Sequence, residues 1–110
     1  MLIQYLNLKN AGDNDTYIKS LVEKSAEKLE RDLSKESILI VDIKEYNQEG
    51  KRAKFSVHLR LEAPAHMLAA HAHDWDVITT TRKALKKLET EFKHKFKTEG
   101  TKYKSRIKRI

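Results

Sequence analysis

The chain has 110 residues, 39% of them apolar and 35% charged, with a net charge of +7 and no cysteine. That is one domain with one modest core, and it excludes disulfides, thiolate nucleophiles and cysteine-based zinc sites. No apolar run nears the roughly 18 residues of a membrane-spanning helix and "MLIQYLNLKN" lacks a signal-peptide pattern, so a soluble cytoplasmic protein is expected.

"LIQYLNLK" (2–9) predicts a first strand, and "NAGDNDT" (10–16) is turn chemistry with Asp13, Asn14 or Asp15 free to cap a helix. Ile18, Leu21, Val22, Ser25, Leu29 and Leu33 then recur at helical spacing, predicting an amphipathic helix over 15–34. "SILIVDIKEY" (37–46) reads as a central strand and "NQEGK" (47–51) as a hairpin turn. "AKFSVHLRLEA" (53–63) alternates cleanly, with Phe55, Val57, Leu59 and Leu61 on one face and Lys54, Ser56, His58, Arg60 and Glu62 on the other. "MLAAHAH" (67–73) is a weaker fourth strand. Val77, Ile78, Thr81, Leu85, Leu88, Phe92 and Phe96 carry the buried stripe of a second helix over 75–97, with Asp74 as its expected cap and Trp75 as a packing residue.

Strand–helix–strand–strand–strand–helix predicts a two-layer α+β domain, in which a four-stranded mixed sheet carries both helices on one face. Residues 1–97 form this domain. Residues 98–110 read as a basic flexible tail, with five basic side chains among the last nine.

The charge is unevenly placed. Residues 1–81 hold 11 basic and 13 acidic side chains, a net of −2, while residues 82–110 hold 12 and 3, a net of +9. On a helical wheel with the stripe centred near Ile78, Leu85 and Phe92, the side chains of Arg82, Lys83, Lys86, Lys87, Lys93, His94 and Lys97 share an arc of about 140° to one side. In the first helix Lys24, Lys28, Arg31 and Lys35 form one column, and Glu23, Glu27 and Glu30 another. A solvated face stitched by salt bridges is the plainer reading. Mixed signs would serve it better, because like charges at i,i+4 (Lys24–Lys28, Lys83–Lys87, Lys93–Lys97) repel. Segregated sign plus a basic tail points to nucleic acid, with RNA phosphate as the ligand and salt-sensitive binding. The polar face of the third strand carries no ring except His58, so recognition by shape and phosphate is expected, without base stacking on the sheet.

"HAHDWD" (71–76) invites a metal reading through His71, His73 and Asp76, and resembles the H-x-H-x-D-H box of metallo-β-lactamase-type hydrolases. The spacing is wrong and further ligands are missing; a polar strand leading into an Asp-capped helix is the simpler account. No nucleophile–base arrangement or phosphate-binding glycine loop stands out, so neither an enzyme nor a cofactor or metal is expected.

The element order, "EKLERDL" at the end of the first helix and "HAHDWDVITTTRKALKKLETEFKHKFK" together resemble the ribosome hibernation-promoting factors, also called ribosome-associated inhibitors or sigma-54 modulation proteins. The likeness covers about residues 1–97, of the family's short form. It implies a factor on the small ribosomal subunit of the 70S ribosome, in the mRNA and tRNA track, that blocks translation sterically in idle ribosomes under stress or in stationary phase. It implies rRNA contacts from Lys24, Lys28 and Arg31, then Arg82, Lys83, Lys86 and Lys87, with Lys93 and Lys97 continuing the face. No membrane or small-molecule partner is implied, and the protein is expected to be monomeric off the ribosome. Two departures stand out: Thr90 replaces a frequent basic residue, and "VITTT" replaces an Ala-rich stretch, which predicts one lost contact and a weaker start to the second helix. A generic double-stranded-RNA-binding module is the alternative, since it shares the strand–strand–strand–helix half. A protein-binding module using Glu23 and Glu27 is another.

Overall fold

The computed structural model describes residues 1–31, 33, 36–49, 52–64 and 66–109, with side chains in that set except at 46–49, 52, 53, 66 and 96–109. The elements are β1 (Leu2–Leu6), a 3-10 segment (Leu8–Asn14), α1 (Asp15–Glu30), β2 (Ile38–Glu49), β3 (Arg52–Ala63), β4 (His66–Asp74) and α2 (Val77–Arg109). The sheet order is β1-β2-β3-β4, with β1 parallel to β2 and the other pairs antiparallel. The predicted α+β architecture is the one observed.

Register explains the core. Leu39, Leu61 and Leu68 align across three strands, as do Val41, Leu59 and Ala70, and then Ile43, Val57 and Ala72. All nine are buried, because alternate residues of each strand share a face. Ile18, Val22, Ala26 and Leu29 of α1 and Ala84, Leu85, Leu88 and Phe92 of α2 close the layer above them. Helix α2 lies over β3 and β4, where Ala70 and Ala72 leave room for it. The other face of the sheet is uncovered, and Leu2, Leu6 and Met67 are exposed there.

The predicted loop 10–16 differs. Most of it winds into the 3-10 segment, which buries Ala11 and ties Asn10 Nδ2 to the Ile43 carbonyl at 2.7 Å. Asn7 opens the segment in the left-handed region, and Gly12 takes φ 58°, ψ −130° inside it, a combination only glycine adopts without strain. Helix α1 stops at Glu30, short of the expected 34. The backbone of α2 is helical through Arg109, past the expected end at 97, while the side chains of the basic tail lie outside the described residues. The tip of the hairpin expected at 47–51 lies outside them too, at Gly50 and Lys51.

The start of α2 is firmer than "VITTT" suggested. Asp76 Oδ2 accepts from the backbone N–H of Thr79 at 2.8 Å, the geometry of an N-cap, and from the Thr79 hydroxyl at the same distance. Thr80 and Thr81 are fully buried, and their hydroxyls donate to the carbonyls of Asp76 and Val77 at 2.6 and 2.8 Å. The cap is thus Asp76, two residues beyond the expected Asp74.

Leu59→Ala should destabilise the fold by about 2–5 kcal/mol, because the side chain is enclosed and its neighbours cannot fully collapse. Asp76→Ala should cost about 1 kcal/mol through the lost cap. Urea denaturation checks both.

Candidate nucleic-acid interface

Helix α2 presents its basic residues straight outward. Thr80, Thr81 and Ala84 join Val77, Leu85, Leu88 and Phe92 in the buried stripe, and Ile78 is only half-buried. Their inclusion turns the stripe by about 60° from the expected centre. Arg82, Lys83, Lys86, Lys87 and Lys93 therefore span the solvent face, and all five are exposed.

Helix α1 adds to the same surface. Its residues Lys24, Lys28 and Arg31 are exposed, and Lys28 lies against α2. Three contacts fix that relation. Ser25 Oγ donates to Glu89 Oε2 at 3.1 Å, Lys28 Nζ lies 3.5 Å from Glu89 Oε1, and Arg82 donates to the Tyr17 hydroxyl with its guanidinium 5.6 Å from that ring's centroid. Glu89 thus bridges the helices beneath the basic face. Glu23, Glu27 and Glu30 lie on the opposite flank, lining a shallow cleft with Met1 and Ile3 of the β1 side. The acidic column thus faces the β1 side, whereas Lys28 of the basic column meets α2 through Glu89. Lys35 and the side chain of Lys97 lie outside the described residues.

The basic face also reaches the sheet edge. Lys83 Nζ pairs with Asp74 Oδ2, and Lys87 Nζ donates to the His71 carbonyl at 3.1 Å. The hydrogen bond from Lys83, with a second from the Trp75 N–H, holds the Asp74 carboxyl below its usual range. Lys86 and Lys93 have no carboxylate partner among the described residues.

The metal trio expected as a possibility is not brought together. Asp76 is spent as the helix cap, and His71 stacks on His58 across β3–β4 with ring centroids 5.5 Å apart. Among the described residues no group of three or more His, Cys, Asp or Glu is placed to hold a metal ion. Trp75 does not pack inside as expected. It is 39% exposed, with Lys54 Nζ 6.0 Å from its ring centroid.

No protein-family model and no curated protein matches the chain. Solved structures do. The N-terminal domain of Protein Y from Thermus thermophilus superposes with a TM-score of 0.54 at 23% identity, over 84% of this chain and 92% of that one. A ribosomal subunit interface protein from Coxiella burnetii gives 0.51 at 21% identity, over 89% and 99%. The chain shares their fold. At these identities the likeness extends to architecture, and the chemistry of the face rests on this chain's own residues.

The cross-strand histidine pair is the feature that the sequence reading missed. Only the register His58↔His71 shows it, and that follows from the hairpin rather than from any local motif. Partial burial, then Lys44 and His71, push the His58 pKa down against the opposing pull of Asp42, and Ser56 Oγ lies 2.9 Å from its Nε2. The folded state thus holds this proton less tightly than the unfolded chain. The resulting stability is complete above the ordinary histidine pKa and is lost as the pH falls through and below it. Melting temperature should therefore drop between about pH 7.5 and about pH 5 more in the wild type than in His58→Gln.

Proposed function

We propose that the protein is a ribosome-associated factor that binds the small subunit through rRNA phosphates and silences idle ribosomes by occupying the mRNA and tRNA track. What supports this reading is that exposed basic residues stand on two helices packed side by side, with Lys28 of α1 against Glu89 of α2, in a fold shared with a ribosomal subunit interface protein. In this reading Lys24, Lys28 and Arg31 form one side of the binding face and Arg82, Lys83, Lys86, Lys87 and Lys93 the other, and Lys97, whose side chain lies outside the described residues, would continue it by helical spacing. Each side chain engaged releases counterions, so affinity is electrostatic and falls steeply with salt. Occlusion needs no reacting group, and the work is done by position. A factor of this kind acts in the cytoplasm, and no described helix is long and apolar enough to cross a membrane.

Co-sedimentation with bacterial ribosomes at two salt concentrations, with naked duplex RNA as competitor, tests the proposal. Saturable one-to-one binding that survives the competitor is expected. Non-saturating binding stripped by the duplex would make the protein a general RNA binder. Lys86→Ala/Lys93→Ala is the cleanest variant, because neither side chain has a carboxylate partner among the described residues. It should lower the log–log salt slope by about two and weaken binding with no change in melting temperature. Lys83→Glu/Lys87→Glu should weaken binding further, at a small cost in stability from repulsion between residue 83 and Asp74.

A further inference from the structure

Beside the outer edge of β4, under the rim of α2, runs a groove of about 590 Å³. One wall is Ala69, Ala70 and His71 of the strand edge; the other is Lys83, Lys86, Lys87 and Thr90, with the Glu91 carboxylate as the one acidic group among three lysines. Small-ligand sites run from roughly 300 to 1,000 Å³, so the space suits one small, flat group rather than a duplex.

The edge has a defined polarity. In an antiparallel pair a residue directs its N–H and C=O to the same side, alternating along the strand. Because the His71 carbonyl points out to Lys87 Nζ, the His71 N–H points outward too, and so do the N–H and C=O of Ala69 two residues earlier. The free edge thus offers an acceptor at Ala69 and a donor at His71, with Ala70 between them. Nearby, Ala70 and the aliphatic stems of the lysines give apolar surface, while the ammonium groups stand at the rim. A planar ring with a donor–acceptor edge, joined to a phosphate, matches all three features. That is a nucleotide, and one whose base is unpaired, since a base stacked within a duplex cannot lie flat between the strand and the helix.

We infer that the β4–α2 groove receives one unpaired nucleotide of the bound RNA, with its base between Ala70 and the helix wall, its polar edge on the β4 backbone, and its phosphate among Lys83, Lys86 and Lys87. This rests on the RNA-binding reading above and adds a base-contacting subsite to a surface otherwise limited to phosphate.

Thr90→Met tests it, because residue 90 is exposed and the longer side chain fills the groove without changing charge. Ribosome affinity and affinity for a short single-stranded oligonucleotide should fall about tenfold, the scale of one lost base contact, with duplex binding and salt slope unchanged. A folded Thr90→Met that binds ribosomes and oligonucleotide like the wild type overturns the inference. So does a wild type that binds single-stranded and duplex RNA of equal length alike. The four nucleoside monophosphates, titrated by NMR, address a free ligand. Saturable shifts at Ala69–His71 together with Thr90→Met-insensitive ribosome binding would make the groove a free-nucleotide site and overturn the RNA occupant. Should the wild type not sediment with ribosomes, the proposed function falls, and the oligonucleotide arm still decides the groove.

Discussion

Everything on the candidate surface depends on how closely α2 is drawn onto β3 and β4. The contact is made by small side chains, Ala70 and Ala72 below and Thr80, Thr81 and Ala84 above, all buried. Two of these carry hydroxyls, and both satisfy them on carbonyls one turn back, so burial leaves no polar group stranded. A bulkier residue at any of the five would lift or roll the helix. Rolling matters most, because the basic side chains form one outward face only in the orientation these contacts impose. Packing at the bottom of the helix thus sets the electrostatics at the top.

The second helix relation is finer. Glu89 accepts from Ser25 and lies against Lys28, while Arg82 reaches Tyr17 near the other end of α1. These contacts pin the two basic columns side by side. One carboxylate among so many lysines offsets part of their mutual repulsion, which would otherwise oppose bringing the helices together. The acidic column on the far flank of α1 keeps its charge away from the same region. A surface meant only for solubility has no need of that separation.

Much of this was legible in the chain. The alternation from Phe55 to Glu62 set one face of the sheet, and the helical spacing of the lysines and arginines anticipated their exposure on both helices. What escaped was what depends on distant partners. Thr80 and Ala84 look neutral on a wheel weighted toward large apolar residues, yet their enclosure by the sheet turned the stripe. The segment Leu8–Asn14 reads as the end of a strand and then a turn, yet β1 stops at Leu6 and the segment winds into a 3-10 form anchored to β2 by Asn10 at Ile43. His71 was weighed against its sequence neighbours His73 and Asp76, whereas its partner His58 lies across a hairpin.

The reach of Lys83 and Lys87 over β4 has a consequence for the free protein. A nine-residue edge strand with outward-facing backbone groups is a template on which another chain's strand can add. Lysines stationed along such an edge oppose that addition, by charge and by occupying a carbonyl, as Lys87 does at His71. The free protein is therefore shielded from self-association along this edge by side chains that also belong to the proposed binding face. Selection on those lysines would then act through colloidal behaviour as well as through RNA affinity, and the two pressures favour the same charge.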